Sequence, residues 1–308
     1  MQGIEMARRF YEDAVKPVIE SEFSPYADRI AVGLVGHGSE CFGFDDEISK
    51  DHDFEPSLCI WIDEESEREF GFRLFRTYTK LQKEYSQINT TEKSLRGSDS
   101  RGVMTISDFY RQYTGRDGAP ETLKDWVYTP SYYLAEAVNG QVFCDPYGRF
   151  TEIRDKIKNG MPEDARLKKI ASCAFHMAQS GQYNYKRCLS HGELGAARLA
   201  LSDFVKSAID MVFLLNRRHT PYYKWSFRAM RELEILGQGA FELERLINKS
   251  GDQALEISRE IEKFCACVIS ELIRQGLSDS HTDYLENHAY SINGRIKDHE
   301  LRNSHIML

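Results

Sequence analysis

Short apolar runs and longer amphipathic stretches follow one another in the first half of the chain. Runs bounded by glycine or polar residues predict buried strands, and apolar residues spaced three or four apart predict helices. In chain order the predicted elements are a helix at residues 7–20, a strand at 30–35, a short helix near Ser39, a strand at 51–62, a helix at 65–85, and strands at 102–107 and 141–144. The first half of the chain is therefore predicted to contain both strands and helices.

The pattern changes near Phe150, beyond which it is helical almost throughout. Apolar residues recur three or four apart, as in Leu194, Ala197, Leu201 and Phe204. We therefore predict an α+β head over residues 1–150, followed by an all-α helical bundle over residues 151–308 that binds the substrate.

The residues with the clearest chemical meaning follow the first predicted strand. Gly38 and Ser39 form a turn whose backbone N–H groups can approach a phosphate. Asp51 and Asp53, one short loop later, stand two apart on a predicted strand, so that both carboxylates point the same way and can share a hard cation such as Mg²⁺. A phosphate-binding turn beside a metal site is the minimum that nucleotide transfer requires.

These motifs resemble the nucleotidyltransferase superfamily with the polymerase-beta type of fold, whose signature is an apolar residue, Gly-Ser or Gly-Gly, a gap, and Asp-x-Asp. A closer resemblance covers most of the chain and is to an uncharacterised bacterial family that joins this head to a helical domain of unknown function. The superfamily signature is filled by residues 35–40 (VGHGSE) and 51–54 (DHDF), and the closer resemblance is carried by residues 38–47 (GSECFGFDDE), 50–53 (KDHD), 192–195 (GELG) and 221–225 (PYYKW). The resemblance implies a fold and a reaction class, with no settled substrate.

The resemblance also implies a set of ligands and a departure from the usual site. Mg²⁺ or Mn²⁺ would bind at Asp51 and Asp53, and a nucleoside triphosphate (NTP) would be the donor substrate. These enzymes commonly carry a third carboxylate on a later strand, a position that falls at Met104 here. Methionine neither binds Mg²⁺ well nor accepts a proton. Asp108 could take this role, a base could come from the helical domain, or the protein could bind nucleotide without transferring it.

Three further residues each have a functional and a structural interpretation. Glu193 could act as the base from the helical domain, as in aminoglycoside nucleotidyltransferases, or could be an acid favoured in the first turn of a helix. Lys224 could contact the triphosphate or lie on Trp225 in an aromatic corner. Lys50 could contact phosphate or neutralise the acidic loop before it.

Composition narrows the classes of partner. The net charge of −8 and a pI near 5.7 disfavour a nucleic acid partner, which usually requires a basic surface. The short basic clusters Lys168-Lys169 and Arg217-Arg218-His219 fit a solvated helix face or a helix end. Seven scattered cysteines argue against a disulfide framework, and Cys265 and Cys267 are expected to be buried free thiols.

No apolar run is long enough to span a bilayer, and residues 1–10 lack the apolar centre of a secretion signal. We expect a cytoplasmic protein that does not insert into a membrane. The predicted function is transfer of a nucleoside monophosphate from a Mg²⁺-bound NTP to a hydroxyl of a small molecule. Two alternatives are a nucleotide-binding regulatory protein without turnover and an enzyme that adenylylates a partner protein.

Overall fold

The computed structural model describes residues 3–46, 56–88 and 101–308. Its fold is α+β, with one small mixed sheet and many helices, as the sequence predicts. The chain divides into two compact units, of which unit 1 comprises Met1–Pro120 with Tyr133–Gly160, and unit 2 comprises Glu121–Tyr132 with Met161–Leu308.

The elements up to the last strand are α1 (Gly3–Phe10), α2 (Lys16–Glu22), β1 (Ala31–Leu34), α3 (Ser39–Phe42), β2 (Cys59–Ile62), α4 (Glu64–Ser66), α5 (Phe72–Ile88), β3 (Gly102–Thr105), α6 (Ile106–Thr114), α7 (Leu123–Tyr128), α8 (Ser131–Val138) and β4 (Gln141–Cys144). Those that follow are α9 (Arg149–Asn159), α10 (Glu163–Met177), α11 (Tyr185–Ser190), α12 (Leu194–Leu215), α13 (Tyr223–Met230), α14 (Gly239–Asn248), α15 (Ala254–Arg274), α16 (Leu285–Gly294) and α17 (His299–Asn303). Short π-helical segments connect α1 to α2, α4 to α5 and α10 to α11.

The sheet of unit 1 has the strand order β3-β2-β1-β4. Strand β1 is antiparallel to both β2 and β4, and β2 is parallel to β3. Every residue of β1 and β2 is buried, which explains why their sequences are continuous apolar runs without alternating polar positions. Helices α1, α2 and α5 contribute Phe10, Ile19 and Tyr78 to the core against this sheet.

Most predicted elements of unit 1 are confirmed, but β2 is shorter than predicted. Among the described residues it begins at Cys59, and residues 56–58 precede it without strand structure. The backbone of Leu58 is nevertheless held, because its N–H donates to the Tyr78 hydroxyl at 2.8 Å and its carbonyl accepts from Gly102 N–H at 2.8 Å. Strand β3 ends at Thr105, where the Thr105 hydroxyl accepts from the backbone N–H of Asp108 and caps α6.

Residues 121–132, which the sequence places in the predicted head, belong to unit 2. The later division between the units falls after Gly160 and not at the predicted boundary near Phe150. The reason is the packing of α9, whose first residues bury an aromatic ring against the sheet. Phe150 stacks on Trp61 with ring centres 3.7 Å apart, and its carbonyl accepts from the Tyr110 hydroxyl at 2.9 Å. Ile157, two turns further along, is also fully buried. Helix α9 therefore belongs to unit 1.

Unit 2 is helical throughout its described residues, as predicted. Helices α10 and α12 pack against each other. The expectation for the two cysteines of α15 is half right, because Cys265 is buried and Cys267 is exposed. Residues that are two positions apart in an α-helix point more than half a turn apart around its axis. The two thiols therefore cannot both face the same core.

Lys168 corrects the interpretation of the basic pair Lys168-Lys169 as a solvated face. The Lys168 side chain is fully buried, and its Nζ donates to Asn293 Oδ1 and to the carbonyl of Ser304, each at 3.0 Å. It is thus an internal tie between α10 and the end of the chain. Along the described ranges, no helix combines the length and the apolar character needed to cross a membrane.

Candidate functional site

The turn between β1 and α3 has the backbone that the Gly-Ser motif predicts. Gly36 and Gly38 have φ values of 120° and 114°, which side chains with a Cβ rarely allow. Asn139 holds the turn from the other side, since its Oδ1 accepts from Gly36 N–H at 2.8 Å and its Nδ2 donates to the Gly36 carbonyl at 2.7 Å. Helix α3 then begins at Ser39, which confirms the predicted short helix.

The carboxylate of Glu40 folds back over this turn. A Cβ atom built on Gly38 would lie 2.5 Å from both carboxylate oxygens, so the carboxylate occupies the space that a side chain at this position would fill. The Ser39 hydroxyl lies 3.5 Å from Glu40 Oε2. An anionic group therefore already occupies the face of the turn that the sequence assigns to a phosphate.

Arg101 is the principal residue that sequence reasoning missed. Its guanidinium forms an ion pair with Glu40, donates from Nη1 to Ser57 Oγ at 2.6 Å, and donates from Nη2 to the carbonyl of His37 at 3.2 Å. Burial alone would lower the pKa of Arg101, but the neighbouring Cys41 thiol and Glu40 carboxylate raise it above its ordinary value. The guanidinium therefore stays charged against the turn.

The sheet explains why Arg101 reaches the turn. Gly102 pairs with Cys59 in the parallel β2–β3 ladder, which places the preceding residue, Arg101, beside Ser57 in the segment just before β2. Strand β2 in turn lies next to β1, whose end carries the Gly38 turn. Nothing in the local sequence near Arg101 indicates this neighbourhood, and only the order and register of the strands could have predicted it.

His37, within the turn, has a partner in the buried carboxylate of Glu136. Its Nδ1 lies 2.6 Å from Glu136 Oε2, and its ring lies 5.6 Å from that of Tyr113. Glu136 is almost fully buried, at 7% exposure. The hydrogen bond to Glu136 raises the pKa of His37, against smaller opposing effects of burial and of the Arg101 charge.

This pair predicts a pH dependence of stability. Because the pKa of His37 is higher in the folded than in the unfolded state, its protonation stabilises the fold. This contribution is fully present at pH values below the unfolded-state pKa of about 6.5, and it is lost as the pH rises through the folded-state pKa. Because His37 is half exposed, we expect about 1 kcal/mol or less. In urea unfolding, this pair should contribute a decrease in the free energy of unfolding of the parent protein from pH 6 to pH 8. The decrease should be smaller in Glu136→Gln. Equal pH dependence in both proteins would exclude the His37–Glu136 pair as its source.

The predicted metal ligands Asp51 and Asp53, and the candidate phosphate contact Lys50, lie outside the described residues. Within the described ranges, no group of three or more His, Cys, Asp or Glu side chains could hold a metal ion. The described residues contribute the Gly38 turn, the Glu40 carboxylate over it and the guanidinium of Arg101.

The two candidates for a third carboxylate position are both described. Met104 lies half-buried in β3, opposite Trp61 of β2. Asp108 lies on the first turn of α6, is exposed, and pairs with Arg111 at 2.5 Å. Asp108 is therefore on a helix and paired with a cation, whereas the position of the missing carboxylate, Met104, is on a strand.

Glu193 and Lys224 both lie in unit 2. Glu193 occupies the N-cap position of α12. Its side chain is exposed and makes no capping hydrogen bond. Lys224 is exposed on α13 with its Nζ 5.0 Å from the centre of the Trp225 ring, which matches the structural interpretation of that residue. Tyr222 and Tyr223 complete the aromatic corner, with ring centres 4.3 Å apart.

Unit 2 also contains a polar cluster between α10 and α12 that the sequence did not indicate. Lys169 Nζ donates to the carbonyl of Thr129 at 3.4 Å. Burial lowers the pKa of Lys169, and burial raises the pKa of Asp210 although Thr220 and the nearby lysines oppose this. Both side chains are therefore held in surroundings that disfavour their charged forms.

Comparison with known proteins gives one match. The profile of a family described as a domain of unknown function (DUF4037) matches residues 126–226, which is less than half of the chain. This stretch contains Glu193, Lys224 and the Lys169–Asp210 cluster, whereas the Gly38 turn lies outside it. No curated protein and no solved structure matches the chain.

Proposed function

We propose that the protein transfers a nucleoside monophosphate from an NTP to a hydroxyl of a small molecule in a Mg²⁺-dependent reaction. The observation that carries this proposal is the turn after β1, where the Glu40 carboxylate lies over Gly38 against the guanidinium of Arg101 and shows that this place accepts an anion. The observed order of strand, turn, short helix and second strand further supports it, because it is the order that the superfamily uses.

Each residue then has a stated role. Gly38 and Ser39 would bind the phosphates of the NTP through backbone N–H groups, and Lys50 is a further candidate contact. Asp51 and Asp53 would hold the metal ion, which would neutralise negative charge on the triphosphate. The protein's own contribution is to orient the triphosphate and the acceptor and to provide fixed charges around them.

The acceptor would bind on the helical unit, with Glu193 as the base that takes its hydroxyl proton. Glu193→Gln keeps the shape of the side chain and removes the charge. We expect turnover to fall about 10²- to 10⁴-fold, with NTP affinity within a few-fold of the parent, because general-base catalysis acts on the transition state. Steady-state kinetics and calorimetry measure the two quantities.

Glu232→Gln is a matched control, because it makes the same change at another acid of unit 2. Its turnover should equal that of the parent. If Glu193→Gln also retains parental turnover, the exposed carboxylate of Glu193 is only a helix-start acid.

Met104 favours a second candidate function, in which the protein binds nucleotide as a regulator without transferring it. The test is to incubate the protein with Mg²⁺ and α-phosphate-labelled NTPs in a cell lysate. Label on small molecules with release of pyrophosphate supports the proposal, and label on protein supports adenylylation of a partner. Tight binding without any transfer or pyrophosphate would support the regulatory function.

A further inference from the structure

The ion pair of Arg101 and Glu40 is mostly buried, with side-chain exposures of 15% and 17%. Three groups fix the guanidinium, namely the Glu40 carboxylate, Ser57 Oγ and the His37 carbonyl. All of them belong to the turn or to the segment before β2. The positive charge is thus held at one place beside Gly38, whether or not Glu40 remains its partner.

The stem of Glu40 is held by packing, and its carboxylate is held by the ion pair with Arg101. The start of α1 packs on its stem so closely that a Cβ on Gly3 would lie 2.5 Å from Glu40 Cβ. The carboxylate beyond it lies in the recess over Gly38, where its neighbours are Ser39 Oγ and Arg101. Rotation of the outer side-chain bonds would move the carboxylate away without moving the helix.

A glycine recess, a serine hydroxyl and a guanidinium form a set of partners that suits a phosphate better than a carboxylate. Arginine binds phosphate through two parallel hydrogen bonds, and a triphosphate carries more negative charge than one carboxylate. A mostly buried guanidinium without any anion would be costly. An internal carboxylate avoids that cost in the free protein and can be exchanged for the ligand.

We propose that Arg101 binds the phosphates of the incoming triphosphate and that the Glu40 carboxylate is an internal competitor, which occupies the same recess until the ligand displaces it. The identity of the ligand as a nucleoside triphosphate rests on the proposed function. The anion site itself does not, since inorganic triphosphate has the same chemistry.

The two partners of this ion pair should have opposite effects on ligand affinity. Calorimetry with inorganic triphosphate and with Mg²⁺-ATP should show Glu40→Gln binding each probe about three- to tenfold more tightly, because a neutral amide competes less well for Arg101. Arg101→Gln should bind each at least about tenfold more weakly. The gain from Glu40→Gln should vanish in the double variant, because the competition acts through Arg101.

Arg111→Gln is the matched control, because Arg111 is an exposed, paired arginine of the same unit and its loss should leave affinity unchanged. Arg101→Lys keeps the charge and loses the paired hydrogen bonds, and is the substitute if Arg101→Gln does not fold. If the ion pair has only a structural role, both variants should be less stable than the parent protein. Glu40→Gln should then not bind either probe more tightly than the parent does. Weaker or unchanged binding by a folded Glu40→Gln variant overturns the proposal.

The two probes separate this inference from the proposed function. Opposite effects of the two variants on inorganic triphosphate, in a protein that transfers no nucleotide, would support the anion site and contradict the transferase. Nucleotide transfer by a protein whose affinity does not increase in Glu40→Gln would support the transferase and contradict the competition. No binding of either probe to the parent protein or to Glu40→Gln would contradict the inference.

Discussion

Asp51→Asn and Asp53→Asn are each expected to weaken Mg²⁺-dependent binding of an NTP by about a hundredfold or more. Loss of a residue that only hydrogen-bonds to a metal ligand already lowers metal affinity by about 10- to 100-fold, and loss of a ligand itself should lower it at least as much. The asparagine amide keeps the size of the side chain but loses the negative charge that a hard cation requires. Calorimetric titration of each variant with NTP, in the presence and absence of Mg²⁺, measures the effect.

Asp117→Asn is the matched control for these two variants. It makes the same change at an exposed acid of unit 1 that pairs with Arg111, so its affinity for Mg²⁺-NTP should equal that of the parent. If Asp53→Asn binds Mg²⁺-NTP as tightly as the parent does, the metal site is not at this motif.

Phe150→Ala is expected to lower the free energy of unfolding of unit 1 by about 3–5 kcal/mol. Phe150 is fully buried, stacks on Trp61 and contacts Phe109 with ring centres 5.2 Å apart, so its removal leaves a cavity under α9. Urea unfolding followed by tryptophan fluorescence measures the effect, because Trp61 lies against the substituted ring.

Tyr147→Ala is the comparison for that measurement. Tyr147 is also aromatic and lies three residues before Phe150, but it is 63% exposed and should change stability by no more than about 0.5 kcal/mol. A Phe150→Ala variant as stable as Tyr147→Ala would contradict the assignment of α9 to unit 1.

Features that depend on neighbours in the sequence were predicted well. The apolar run of β1, the glycines at 36 and 38 and the start of α3 at Ser39 follow from local backbone preferences, and the structure has all three. The long helices of unit 2 follow in the same way from apolar residues three or four apart, as α12 shows.

Features that depend on distant neighbours were missed. Arg101 reaches the turn only because β3 pairs in parallel with β2, and Glu136 reaches His37 from α8, far along the chain. Lys168 looked like a surface residue because the Asn293 amide and the Ser304 carbonyl that receive its ammonium group are distant in sequence. The residue next to a charge in the chain does not indicate its partner in the fold.

The most direct test of the central claim is a crystal structure of the protein with Mn²⁺ and a non-hydrolysable NTP, with the metal located by its anomalous scattering. We predict a metal peak within bonding distance of the Asp51 and Asp53 carboxylates, with the phosphates on Gly38 and Ser39. Nucleotide bound elsewhere on the protein, or a metal peak that neither aspartate contacts, would contradict the account.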